Sequence, residues 1–147
     1  MKITKFHLAE LLVVVAIIGV LVAISIPIFT SQLEKSRDAV TLANLRAAYA
    51  EAQTAYLTKG SAADAAAGEV TTNGDHTVTV KKATAGYTVA VTKVASKGQK
   101  DGLDNSDQLP FDASDLTGEA SMGGKAQDWT VTFTYNANGE ITGVSAA

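Results

Sequence analysis

From Leu11 to Phe29 the chain carries no charged residue, and Ser25 is the only side chain in that stretch with a polar group. Leu, Val and Ile dominate it. As a helix rising ~1.5 Å per residue, the run is about long enough to cross the ~30 Å hydrocarbon layer of a bilayer. A surface this apolar must be covered by lipid or by other protein. Lys2 and Lys5 precede the run, whereas Glu34, Lys35, Arg37 and Asp38 behind it cancel, so the positive-inside bias keeps the amino terminus in the cytoplasm. A cleaved secretory signal fits poorly. The run exceeds the ~7–15 residues of an h-region. In place of an A-x-A-like site, the chain continues Ile26-Pro27-Ile28-Phe29.

Beyond Phe29 the pattern turns amphipathic without a break. Leu42, Leu45, Tyr49, Ala52 and Tyr56 step by three and four on one helical face, with Arg46, Glu51 and Gln53 off it. Lys59-Gly60 reads as a stop, glycine supplying the left-handed turn and lysine favouring the negative helix end. A helix from Phe6 to Thr58 would be a rod of roughly 80 Å. Gly19 and Pro27 interrupt it, at about 1 and 3 kcal/mol relative to alanine. Two readings stand side by side: tolerated kinks in a membrane helix, or a place where the helix bends or melts when subunits pack.

The C-terminal half has another texture. Residues 61–68 are alanine-rich and suit a short helix or a loop. Period-two segments follow at 77–82, 87–93, 129–135 and 141–144, with turns at 83–86 and 136–139 between them, so two hairpins are expected. Val78, Val80, Val89, Val91, Trp129, Val131 and Phe133 would supply the buried faces. Residues 95–128 read as a long surface excursion, too polar and glycine-rich for a core, with a short strand or turn near Leu109-Pro110-Phe111. So small a sheet needs a cover, and the second half of the long helix is the obvious one. The expected fold is α+β: a long N-terminal α-helix packed by its C-terminal half on a small antiparallel β-sheet.

Composition excludes several functions. The 147 residues carry a net charge of −3 and no cysteine, so the chain as a whole is not a basic nucleic-acid binder and has no disulfide, thiolate metal site or catalytic thiol. His7 and His76 are too far apart in sequence for a histidine-rich metal cluster. Lys81, Lys82, Lys93, Lys97 and Lys100 lack an aromatic stacking platform and read as solvating charge. Phe6, Phe29, Tyr49 and Tyr56 at helical spacing read as packing rather than an electron-transfer path. No phosphate-cradling loop, nucleophile elbow or zinc motif is present, and an enzyme is not expected.

Glu10 is the anomaly, because it opens the apolar run. A charged group costs about 2.5–3.5 kcal/mol at the centre of a spanning helix, and less near an edge. Glu10 either sits at the headgroup boundary or awaits a cationic partner, such as the N-terminal amine of a neighbouring chain.

The stretch from Phe6 to Leu21, FHLAELLVVVAIIGVL, followed by Ile26-Pro27, resembles the N-terminus of type IV pilins and related pseudopilins. The resemblance is close over roughly the first thirty residues; beyond them it is one of architecture. It implies a basic leader at residues 1–5, cut between Lys5 and Phe6 by a prepilin peptidase that then N-methylates Phe6. It also implies that Glu10 engages the amine of an adjacent subunit during assembly. The segment around Gly19 to Pro27 would lose helicity in the filament. The chain departs from the family pattern at Lys5, where glycine normally precedes the cut, and at His7, where threonine is usual. Lys5 bears directly on whether the leader is removed.

The expected organisation is then a leader at 1–5 and a long helix at 6–59. The apolar half of that helix, 6–30, serves membrane or filament core, and its amphipathic half is 31–59. A globular β domain occupies 60–147. The implied function is a structural pilus subunit, stored in the cytoplasmic membrane and then assembled into an extracellular filament. Its partners would be identical subunits, the peptidase, and an inner-membrane platform with its ATPase. A secretion or competence pseudopilin and a single-span membrane-anchored binding protein are the alternatives. No cofactor is expected. The acidic residues Asp101, Asp104, Asp107, Asp112, Asp115 and Glu119 suit a solvated loop better than calcium, although related pseudopilins often hold calcium in a C-terminal loop.

Overall fold

The computed structural model describes residues 7–59 and 69–147. The expected leader, Phe6, and the alanine-rich segment 61–68 lie outside the described residues. The chain separates into two compact units, one ending at Glu34 and the other spanning Lys35–Ala147. A single helix, α1, runs Leu8–Lys59 through both.

Among the described residues the first unit is the opening part of α1. Its large apolar side chains are all exposed, from 39% at Leu33 to 84% at Leu8. The helix continues through Gly19 and Pro27. Proline at 27 removes the amide that would bond the Ala23 carbonyl. The neighbouring hydroxyls turn inward: Ser25 Oγ donates to the Leu21 carbonyl at 2.7 Å, and Thr30 Oγ1 to the Pro27 carbonyl at 3.0 Å. Polar side chains inside this apolar stretch therefore satisfy themselves on their own helix.

The second unit is α+β. Its sheet has six strands in the order β1-β2-β3-β5-β6-β4: β1 Glu69–Asn73, β2 His76–Ala83, β3 Gly86–Ala95, β4 Leu116–Thr117, β5 Asp128–Asn136 and β6 Ile141–Ala146. All pairs are antiparallel except β4 with β6. Alternation sends Val78, Val80, Val89, Val91, Val131, Phe133, Tyr135 and Val144 to one face, against Leu42, Leu45, Ala48, Ala52 and Ala55 of α1. Each fully buried Val, Leu or Phe contributes about 1.5–3 kcal/mol. The opposite face is rich in threonine: Thr79 pairs with Ala90, Ala90 with Thr132, and Thr132 with Ser145.

Two bulges adjust this alternation. Between Val91 and Val94, β3 advances three residues while β5 advances two, and Lys93 takes the left-handed conformation at φ 58°. The extra residue lets Val91 and Val94 both face the core. On β6, Thr142 is the extra residue between the pairs Thr134–Gly143 and Tyr135–Ile141.

The excursion departs from expectation. Residues 95–128 are not a polar surface loop, because Leu103, Leu109, Leu116 and Met122 are buried in the core and Ser96 is buried beside them. The segment holds β4, a short helix α2 at Glu119–Gly124, and two single turns of 3₁₀ helix at Ser106–Gln108 and Ala113–Asp115. The apolar residues are spaced about six apart, so each anchors a separate bend and no window shows a period. Leu109-Pro110-Phe111 is a bend, and the short strand falls instead at Leu116–Thr117. Glycine permits the tight packing: a Cβ on Gly123 would collide with the Gly102 carbonyl, and one on Gly98 with the Gly123 carbonyl.

Candidate functional site

The sequence places its candidate assembly residues on the first unit. Glu10 lies in the first turn of α1 with its side chain exposed. Its amide donates to the His7 carbonyl at 2.8 Å, which closes that turn. A carboxylate there faces the positive end of the helix dipole, worth typically 0.3–1 kcal/mol, roughly. Part of the cost of carrying a charge on an apolar helix is thus offset locally. Gly19 and Pro27 follow further along the same helix. A Cβ on Gly19 would meet nothing within 4 Å, so neither local packing nor backbone conformation demands glycine there. The three residues lie in series along α1. Lys5 and Phe6 lie outside the described residues.

The most apolar 18-residue window of α1 has a mean hydropathy of 3.1, and the helix is long and apolar enough to cross a membrane. From Leu11 to Leu33 no charged side chain interrupts it.

The second unit is held by contacts that sequence reading did not find. A polar stripe on α1 grips the excursion. Asn44 Nδ2 donates to the Ala95 carbonyl at 2.7 Å, Thr41 Oγ1 accepts from the Lys97 amide at 3.0 Å, and Asp38 Oδ2 accepts from the Asp104 amide at 3.2 Å. Arg37 donates to Gln99 Oε1 at 2.9 Å, and Arg46 reaches the Gln108 carbonyl. Residues 37, 38, 41 and 44 share the three-and-four spacing of a helix face, a signal legible in the sequence but masked by the neighbouring apolar stripe. His76 and Glu51, far apart in sequence, meet with Nδ1 2.9 Å from a carboxylate oxygen, tying the β1–β2 turn to α1.

Asp112 and Tyr135 titrate away from their ordinary values. Asp112 is held below the usual carboxylate range by the Ser114 hydroxyl, at 2.7 Å, and then by the Ser114 amide, at 2.9 Å. This side chain thereby caps the 3₁₀ turn Ala113–Asp115. Burial pushes the Tyr135 phenol well above the ordinary range, with Tyr49 and Tyr56 adding to the effect. Its hydroxyl is buried with no hydrogen-bond partner among the described residues, as is Trp129 Nε1. Tyr56 stacks on the Tyr135 ring at 4.5 Å and 9°. Tyr49, Phe111 and Phe133 form a second aromatic group, edge-on or tilted, at 5.6–6.1 Å. The acidic side chains of the excursion are not gathered into a metal-holding group of three among the described residues.

No protein-family model, curated protein or solved structure matches the chain. Fold and site define its class by themselves: an α+β domain whose N-terminal helix is apolar enough to anchor it in a membrane.

Proposed function

We propose that the chain is a structural subunit of a type IV pilus-like filament, assembled through the apolar part of α1. The observation that carries this reading is a helix whose large apolar side chains are exposed all round, with one acidic residue at its start. Lipid covers such a helix before assembly, and copies of the same helix cover it afterwards. Moving between the two changes little apolar exposure to water, so packing, register and electrostatics decide the outcome. Glu10 supplies the register: its carboxylate is costly in an apolar core unless a cation meets it, and the free amine of a neighbouring subunit's Phe6 is the partner of matching charge. Removal of residues 1–5 and N-methylation of Phe6 by a prepilin peptidase belong to this reading, as do an inner-membrane platform and its ATPase. Gly19 and Pro27 mark the segment whose hydrogen bonds are cheapest to lose on packing. The globular unit forms the outer coat of an extracellular filament and performs no catalysis.

Glu10→Ala tests the assignment. Filaments are lost while the chain still inserts into the membrane at its normal level. A variant that polymerises as well as the parent would overturn the role of Glu10.

A further inference from the structure

The outer face of the sheet carries a cleft between β4, β6 and the 3₁₀ turn Ala113–Asp115. It is open to solvent, with a volume of about 350 Å³, and Ser114, Thr117, Thr142 and Ser145 are exposed on it. Ser114, Asp115, Thr117, Thr134, Thr142 and Ser145 line it. The parallel pairing of Leu116 with Val144 and Thr117 with Ser145 sends the two apolar residues into the core and both hydroxyls into the cleft. The Asp112 cap fixes the turn that brings Ser114 and Asp115 alongside.

Gly143 lines the cleft beside the bulge on β6, where a side chain would project into open space. It is not among the residues with positive φ, and a Cβ would meet nothing within 4 Å. A glycine inside a strand weakens it, and such positions mark a bulge, as here, or a place where a ligand or another backbone comes close. The bulge at Thr142 opens the strand at the same point.

The hydrogen-bonding inventory selects the occupant. The half-buried Asp115 carboxylate accepts only, and it has no hydrogen-bond or salt-bridge partner among the described residues. The Ser114 hydroxyl gives its proton to Asp112, so it too presents lone pairs. Thr117 and Thr142 make only long contacts, each 3.4 Å, to the carbonyls of Val144 and Thr134, which leaves their lone pairs open. Thr134 and Ser145 can both donate and accept. A ligand here must supply several donors, take up a few, and carry no negative charge. Ionised carboxylates offer no donor, and both they and phosphates meet the repulsion of Asp115. A divalent cation would find a single carboxylate. Vicinal hydroxyl groups satisfy every requirement.

We propose that this cleft binds a neutral hexose unit of a glycan, with the Asp115 carboxylate accepting from sugar hydroxyls over the notch left by Gly143. The site is a property of the globular unit and stands apart from filament assembly, so either reading can fail without the other.

The test uses the full chain in a polyoxyethylene detergent, whose head group contains no sugar. Fluorescent cellohexaose, maltohexaose and chitohexaose are the neutral probes, an oligogalacturonate of equal length is the anionic one, and polarisation is the readout. At least one neutral probe binds and the anionic probe does not. Gly143→Val fills the notch and Asp115→Asn removes the charged acceptor at constant shape. Each weakens binding about tenfold or more, the scale of one lost hydrogen bond to a charged group, while Thr79→Val, elsewhere on the same face, leaves it intact. Should the valine variant fail to fold, the isosteric Asp115→Asn decides. Absence of neutral binding, undiminished binding in the two cleft variants, or binding abolished by a calcium chelator overturns the proposal.

Discussion

Removing a hydroxyl group from the centre of the globular unit should make it more stable. Tyr135 is 1% exposed, and its hydroxyl is buried without a hydrogen-bond partner among the described residues. Such a group costs about 1–3 kcal/mol in lost hydration. Tyr135→Phe relieves that cost and keeps the ring, so the 4.5 Å stack with Tyr56 survives. It forfeits a few dispersion contacts of about 0.1–0.2 kcal/mol each. The balance is a gain of about 1 kcal/mol, or a rise of about 4 °C in melting temperature for a domain of this size. The advantage depends on pH. Because folding raises the phenol's pKa, the parent's stability from keeping that phenol neutral is complete below the ordinary tyrosine value of about 10. It is lost as pH rises through the higher folded value. The phenylalanine variant has no such loss, so the gap widens above about pH 10. Near-UV circular dichroism and Trp129 fluorescence, followed through thermal melts of the full chain in micelles at neutral and alkaline pH, measure both effects. A variant that melts several degrees lower, with no widening at high pH, would show that the hydroxyl is satisfied and the argument wrong.

Gly123→Ala drives a Cβ into the Gly102 carbonyl and should cost about 1–3 kcal/mol, as overpacking does, read as a lower melting temperature. Thr41→Val removes the acceptor of the Lys97 amide; a loss of about 1 kcal/mol and faster hydrogen exchange at Lys97, with the sheet amides unchanged, are expected. Leu45→Ala empties a fully buried position between helix and sheet and should cost about 2–5 kcal/mol in the same melts. The Asp112 cap is complete above the ordinary carboxylate pKa and lost as pH falls through its lowered value, so the protection of the Ser114 amide relative to its intrinsic exchange rate should fall in acid in the parent and be absent at all pH values in Asp112→Ala.

The strongest periodicities carried the fold. The helical stripe from Leu42 to Tyr56 and the alternating valines of β2, β3 and β5 were legible because each buries one face of a regular element. Helix α1 begins at Leu8 and ends at Lys59, against the expected 6–59. Both hairpins fall where the turn residues put them. The excursion departs from the expected surface loop because its buried residues belong to bends, whose spacing follows no period, and because several of its backbone and side-chain polar groups bond to the helix. Strand β4 has two residues, too short for any pattern, and pairs in parallel with a strand more than twenty residues away. The His76–Glu51 contact and the hydroxyl cleft join residues distant in sequence, which only the sheet register brings together. Glu10 stood out from sequence alone, because a single charge in an apolar run violates the pattern around it.

Electron microscopy of the full chain, purified from its native source, tests the central claim most directly. Regular filaments with the globular units outside and the apolar helices within are predicted, in which mass spectrometry finds chains beginning at methylated Phe6. A chain that stays a solitary membrane-bound monomer at high concentration, with its native amino terminus intact, would contradict the account.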